Sequence, residues 1–262
     1  MAKGNKKISF NIDSPTKKKI KESIERNMKM LSVVASSEYH GIQDKRGYVN
    51  RKKFDKNVIE SAAMIAIAEE AISKNAKAGI VFSALNEEEI ANSNGVLEKD
   101  KNSMIYLSAR AFYRNSSAHD VSCSRSIDGI DASISEGAYE LAKKARNARK
   151  IKEGKYDVIF YPMAFANLMA NVASFASAFY IEAGYSFLAD KLNEKVANEL
   201  LSIYDDGTLQ DGIASRRFDD EGNATQRTAI IEKGVLKNYL HNSTTAFKHN
   251  AITTGNAGIV AP

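Results

Sequence analysis

The amino-acid sequence predicts an α+β fold in which helices pack on antiparallel sheet. Three observations lead there. Apolar residues recur at helical spacing in residues 14–34, 58–73 and 133–149. Alternating stretches stand beside turn residues of the hairpin type, Ser93-Asn94-Gly95 and Glu232-Lys233-Gly234. No regular strand–helix–strand order connects them, which a parallel sheet would need.

From the N-terminus, residues 14–34 read as a helix, with Ser14 as cap, Pro15 at the first position, and Ile20, Ile24, Met28 and Leu31 on one face. Tyr39 to Phe54 reads as loop. A second helix is expected over Val58–Ser73, capped by Asn57 with Glu60 as its capping-box partner. Ala78–Leu85 reads as a strand and Glu87–Asn92 as a further short one, ahead of the Ser93-Asn94-Gly95 turn. In Met104–Arg114 the alternation puts Ile105, Leu107, Ala109, Ala111 and Tyr113 on one face, and another strand covers Ala118–Ser124. Ser133-Ile134-Ser135-Glu136 has capping-box form and opens a helix to about Arg149 with Ile134, Ala138, Leu141, Ala142 and Ala145 inward. Downstream, Val196–Tyr204 mixes helix and strand character, and Gly207–Gly222 is loop. Ala229–Ile231 and Val235–Leu240 form a hairpin, and the tail is turn-rich.

Val158 to Ile181 is a run of 24 residues without a charge. By length it could cross a bilayer, for which about 20 apolar residues suffice. Its composition argues for a buried strand, Val158-Ile159-Phe160-Tyr161, followed by a buried helix that Pro162 opens. That helix has two stripes. Phe165, Leu168, Val172, Phe175 and Phe179 are apolar; Ala164, Asn167, Asn171, Ser174 and Ala178 are small or polar. A lipid-facing helix would be apolar all round, so no membrane association is expected.

Composition narrows the class further. With 44% hydrophobic and 26% charged residues in 262, the chain has the balance of a globular protein rather than a disordered one. One cysteine, Cys123, excludes an internal disulfide framework and a Cys-rich zinc knuckle, and fits a reducing, cytoplasmic location. The net charge of +5 is local: residues 1–30 hold nine Lys/Arg against three acids, which leaves the other 232 residues at −1. A basic terminal arm could touch nucleic acid or an acidic surface. A solvated terminal helix is the preferred reading, and the rest of the chain offers no basic groove.

No phosphate-loop, dinucleotide or nucleophile-elbow motif occurs. His40, His119, His241 and His249 lie far apart in sequence, and the last two read as solvated loop histidines rather than a metal pair. His119-Asp120 near Cys123 sits in an alternating strand, so a structural reading wins over a Cys/His pair. Asp205-Asp206 and Asp219-Asp220-Glu221 could converge on Mg²⁺ or Ca²⁺, or serve as ordinary turn residues. Residues alone show no catalytic constellation.

One stretch says more. "YSFLADKLNEKVANELLSIYDDGTLQDGIASRRFDDEGNATQRTAIIEKGVLKNYL", with the following "TTGNA", resembles the TldD/PmbA family. The family blocks G-E-K-V-A-S-E-L, V-D-D, F-D-D-E-G-x-x-T-x-R, I-E-x-G-x-L-K-x-Y-L and T-G-N-A are matched in order over some seventy residues. "EEEIANSNGV" and "GKYDVIFYPMAFANLMA" extend the resemblance upstream, so that it covers most of Lys56 to Pro262. It implies a TldD/PmbA-like α+β fold with a basic N-terminal helix and loop (1–55), a central domain (56–154), and the start of an incomplete C-terminal TldD/PmbA domain (155–262).

TldD-type members carry H-E-x-x-x-H on the opening helix of that domain, two zinc ligands and a glutamate. The corresponding places here are Met169, Ala170 and Ser174, which are neither dependable zinc ligands nor a base. The resemblance therefore implies the TldE/PmbA branch. Such a chain is a subunit without its own zinc, paired with a TldD-like zinc-bearing partner, in a heterodimeric metalloprotease acting on unfolded short peptides. Asp219, Asp220, Glu221, Gly222, Gly255 and Asn256 carry over as motif positions at a peptide groove or partner interface, or as a buried turn. Alternatives stay open: a nucleic-acid-associated module using the basic arm, as the family's old gyrase-modulator label suggests, a hydrolase built on the Asp clusters, or a degenerate inactive fragment. Asn193 and Asn198 stand where the family prefers Gly and Ser, and the chain is expected to be truncated at both ends. Without the C-terminal strands, Ile230 and its neighbours are expected to form an exposed edge or to need a second polypeptide.

Overall fold

The computed structural model describes residues 1–36, 47–49 and 53–258. A short basic hairpin, β1 (Ala2–Lys3) with β2 (Lys6–Lys7), precedes α1 (Lys17–Val33). The helix starts two residues later than Pro15 suggests. Thr16, not Ser14, is the cap, its side chain accepting from the Lys19 N–H, because Ser14 is turned to a φ of 51°. The stretch expected as loop over Tyr39–Phe54 lies mostly outside the described residues.

The central unit is a three-stranded antiparallel sheet in the order β3 (Ala78–Ala91), β4 (Leu97–Tyr113), β5 (Ser116–Ser124). Glu87–Asn92 is not a separate strand. The ladder runs unbroken from Ala78↔Arg110 to Ala91↔Leu97, so the acidic run Glu87–Glu89 simply extends β3. The turn follows the Asn signal: Asn92 Oδ1 accepts from the N–H groups of Asn94 and Val96, and Gly95 takes a φ of 86°. Ile105, Leu107, Ala109 and Ala111 are buried, as their alternation predicts.

Beneath that face pack α2 (Ser61–Ser73) and α3 (Ile134–Ala145). Their core joins Ile67, Ala71 and Ala76 to Ile105, Leu107, Ala109 and Ala132. Neither expected capping box forms. The turn Lys56–Ile59 is a 3₁₀ segment capped by Asp55, which leaves Glu60 as the cap of α2 with no side-chain bond. Ser133 is itself helical, and its N–H is taken by Asp131 Oδ1. In both places a nearby aspartate reached the backbone donor first.

Residues 158–161 do not form a buried strand. Ile159 is 99% exposed, and no described backbone pairs with the segment. β-branched residues favour a strand only where a partner strand supplies the ladder. The helix that follows is also different from the one expected. It divides into α4 (Pro162–Phe175) and α5 (Ala178–Glu182), and α4 has no buried residue. The break has a clear cause: Ala178 N–H donates to Leu240 O, and Leu240 N–H donates to Ala176 O. Two helical bonds are exchanged for a parallel bridge at Ser177. Among the described residues no helix is long and apolar enough to cross a membrane.

A second three-stranded sheet has the order β6 (Ile203–Asp206), β7 (Arg227–Glu232), β8 (Val235–Leu236). The hairpin turn is Lys233-Gly234, both at positive φ, as a two-residue turn requires. A Cβ at Gly234 would stand 2.5 Å from the Ala197 carbonyl oxygen, so only glycine fits. The second arm is shorter than expected, since Lys237–Leu240 leaves the ladder for the bridge to Ser177. Ile230 is fully buried rather than an open edge. It packs with Ala176, Ala178, Leu188, Leu236 and Leu240. A last short helix, α6 (Ser243–Lys248), starts at Asn242, which forms a capping box with Thr245.

Arg125 joins the two sheets. Its fully buried guanidinium donates to the carbonyls of Gly212 (2.7 Å), Ile213 (3.2 Å) and Ser215 (2.6 Å) and to Asn102 Oδ1 (3.0 Å). Burial pushes its pKa down, and Asp100 and Asp211 push it back up. Hydrogen bonds to a charged donor contribute about 1.5–3 kcal/mol each. Arg125→Ala is therefore expected to lower stability by about 3 kcal/mol or more, read from urea unfolding, with Arg125→Lys between it and the wild type.

Candidate functional site

The segment Ser215–Thr225 is held from two sides. From the long β3–β4 hairpin, Arg216 meets Glu88 at 3.4 Å and Arg217 meets Glu98 at 2.9 Å, while the Arg217 N–H donates to Asp100 Oδ2 at 2.9 Å. The chain turns at Gly222, whose φ of 86° suits glycine and whose carbonyl accepts from Tyr48 Oη at 2.8 Å. Ile90 and Val96 of the hairpin pack over that glycine.

Asp219 organises the turn. Its Oδ1 accepts from the N–H groups of Glu221 (3.0 Å) and Asn223 (2.8 Å), and its Oδ2 from that of Ala257 (3.0 Å). Burial pushes the Asp219 carboxyl up, against those donors, which pull it down. Asp220 N–H donates to the Ala257 carbonyl, and its carboxylate meets Arg216 at 2.7 Å. Glu221 Oε2 accepts from the Ser243 N–H at the start of α6. Gly255 has a φ of 72°, and a Cβ there would stand 2.5 Å from the Ala224 carbonyl oxygen. Asn256 Nδ2 donates to Asp205 Oδ2 at 2.9 Å. All six motif positions thus form one knot that ties the 219–223 turn, the 255–257 segment and β6.

A cleft of about 320 Å³ opens beside the knot, with Asp205, Asp206 and Asp219 among its lining residues. The two Asp clusters do approach each other, but each carboxylate already has at least one partner. Asp206 Oδ1 accepts from Thr208 N–H and Oγ1, Asp219 from the backbone, Asp220 from Arg216, and Glu221 from Ser243. Among the described residues no group of three or more His, Cys, Asp or Glu is placed to hold a metal ion.

The histidines behave differently from the sequence expectation. His241 is buried, not solvated, and its ring lies 5.6 Å from that of His249. Its Nδ1 lies 3.2 Å from Thr245 Oγ1, and burial pushes its pKa down. His249 Nε2 stands 3.1 Å from Glu182 Oε1. His119 and Cys123 remain strand residues of β5, and Cys123 is exposed. Met169, Ala170 and Ser174 lie on α4, where Ser174 Oγ donates back to the Ala170 carbonyl at 3.1 Å. A thioether, a methyl and a hydroxyl so placed do not fit a zinc ion and its general base. Sequence reasoning missed Arg125, Asp100, Ser215 and Asn223 altogether. The partners of Arg125 in the 212–215 loop lie nearly ninety positions away, so no local pattern could reveal them.

Comparison with known proteins agrees with this geometry. A family model described as the PmbA/TldA metallopeptidase C-terminal domain matches residues 153–261. An uncharacterised protein of Methanocaldococcus jannaschii is 31% identical over 197 residues, 74% of this chain and 47% of that one. A metalloprotease PmbA homologue of Buchnera aphidicola is 31% identical over 173 residues, 64% of this chain and 39% of its own. A crystal structure from Thermotoga maritima, described as a candidate modulator of a DNA gyrase, superposes with a TM-score of 0.83 at 25% identity, over 92% of this chain and 60% of that one. The chain spans less than half the length of those two curated relatives. Fold and matches together define a protein of a metallopeptidase class. The chain belongs to the TldD/PmbA family.

Asp205 carries a testable consequence of its burial, which pushes its carboxyl up more strongly than Asn256 pulls it down. A carboxyl whose folded pKa lies above its unfolded value of about 3.9 favours folding below that value, and the advantage is lost as pH rises through the raised pKa. The stability of the wild type relative to Asp205→Asn should therefore fall as pH climbs out of the ordinary carboxylate range, measured by urea unfolding at a series of pH values.

Proposed function

We propose that the chain serves as a TldE/PmbA-type subunit without zinc of its own, paired with a TldD-type zinc-bearing chain in a protease for unfolded short peptides. The observation that carries this reading is the chemistry of α4. At the places where the zinc branch has two ligands and a base, this helix offers Met169, Ala170 and Ser174. Any metal-bound water must then come from another polypeptide. Exposed apolar residues next to that helix support a partner surface: Val158, Ile159, Phe160, Phe165 and Leu168 are all at least 42% exposed and lie within eleven consecutive positions. Contiguous apolar exposure of this kind marks an interaction site more often than an idle surface. The Met1 to Met30 basicity plays no part in this reading.

Co-expression with an H-E-x-x-x-H chain tests it. The expected result is a mixed complex on size exclusion that contains one zinc per pair, cleaves unfolded peptides, and is weakened at least tenfold by Ile159→Asp or Leu168→Asp. Stoichiometric zinc and peptide cleavage by the isolated chain would overturn the reading.

A further inference from the structure

Strand β3 is an edge of the central sheet, and its first half lacks the usual protection. Native edge strands are guarded against further pairing by charges, proline or bulges. From Ala78 to Leu85 the strand carries neither a charge nor a proline. β4 takes one side of it, and among the described residues no strand takes the other. Asn92 N–H donates to the Val96 carbonyl, so in this unbroken ladder the even positions of β3 bond inward to β4. Gly79, Val81, Ser83 and Leu85 therefore turn their N–H and C=O groups outward.

Apolar side chains flank that row of backbone on both faces. Val81 and Leu85 pack on the core below, where Ser83 Oγ also meets Met64 of α2. Ile80 and Phe82 project from the opposite face and are 65% and 49% exposed. On the helix side, Ile72 of α2 is 63% exposed and lines a shallow cleft of about 150 Å³ with Gly79 and Val81. A strand laid along this edge gains a hydrogen-bonded ladder and covers apolar surface at once.

Charge decides which strand fits. Lys77 precedes the bare run, and Glu87, Glu88 and Glu89 follow it. A second copy of β3 running antiparallel sets Lys77 of each chain opposite Glu87 of the other. A parallel copy sets the three glutamates beside their own counterparts, where like charges repel. In the antiparallel register Phe82 meets itself on a two-fold axis, and Ile80 meets Ala84. Val81 then meets Ser83, and Gly79 meets Leu85. All four are outward-bonding positions, so the pairing closes about eight backbone hydrogen bonds. Glu87 also pairs with Lys101, but its exposed carboxylate has oxygen enough for a second cation.

We propose that two copies of this chain associate through β3, antiparallel about Phe82, and join their central sheets into one of six strands. Such a contact is isologous, so it uses up both β3 edges and closes at two copies. It is separate from α4 and the apolar residues before it, where the subunit reading puts the zinc-bearing chain. Ile159→Asp should break that mixed pairing and leave this one intact, so the two readings fail separately.

The test is sedimentation velocity of the isolated chain from about 1 to 100 µM, a span that brackets a dissociation constant of about 10 µM. A monomer–dimer equilibrium is expected. Phe82→Asp, which sets two carboxylates together on the axis, should weaken it at least tenfold while the monomer keeps its fold by circular dichroism. Lys77→Glu and Glu87→Lys should each weaken it, and the two in one chain should restore it. Cys123 is exposed, so disulfide trapping uses a Cys123→Ser background. There Phe82→Cys should give a linked dimer under copper-catalysed air oxidation, because a non-hydrogen-bonded pair holds its Cα atoms about 4.5 Å apart. Ile80→Cys, which faces Ala84 of the other copy, should not. A chain that stays monomeric throughout, a dimer untouched by Phe82→Asp, or equal linking of both cysteine variants overturns the proposal. So does a Phe82→Asp variant that sediments like the wild type yet no longer forms the mixed complex with an H-E-x-x-x-H chain, since the edge then belongs to that partner.

Discussion

The Asp219 carboxylate, buried and holding the N–H groups of Glu221, Asn223 and Ala257, is the interaction on which the rest of the C-terminal half depends. A buried charge is costly unless hydrogen bonds replace its water. Here the backbone supplies them, and in doing so closes the 219–223 turn against the 255–257 segment. With that turn closed, Gly222 fits under Ile90 and Val96, Glu221 reaches the start of α6, and Asn256 reaches Asp205. The family motif is thus a device for joining segments that are far apart in the chain.

Arg125 does the corresponding work between the two sheets. Its planar fork satisfies three loop carbonyls and Asn102 at once, which a lysine could not do from one point charge. The loop it holds, 212–215, forms one wall of the cleft. Thus the cleft is shaped by an arginine that lines no part of it. Val158, Ile159, Phe160, Phe165 and Leu168 stay exposed, and α4 carries Met169, Ala170 and Ser174.

Legibility in the sequence was uneven in a physically sensible way. Strand β4 was readable because Ile105, Leu107, Ala109 and Ala111 alternate and half of the sheet faces the core. The turns at Gly95 and Gly234 were readable because positive φ restricts the residue type. Caps were misread at Ser14, Asn57 and Ser133, where several polar residues compete for the same backbone donor and the winner depends on local geometry. Val158–Tyr161 was misread because a strand is a property of a pair, and β-propensity says nothing of the partner. The burial of Ile230 and the His241–His249 approach depend equally on distant residues.

What the sequence determined by itself is the α+β class and the family, because each rests on residue type at fixed spacing. Only the tertiary structure decided that six motif residues form one knot, that Asp205 and Asn256 share a cleft with Ser215, and that Arg125 holds its wall. Those facts come from atoms brought together across fifty to ninety positions of chain. Such contacts arise when a folded backbone satisfies its buried polar groups, and that requirement leaves no periodic mark on the sequence.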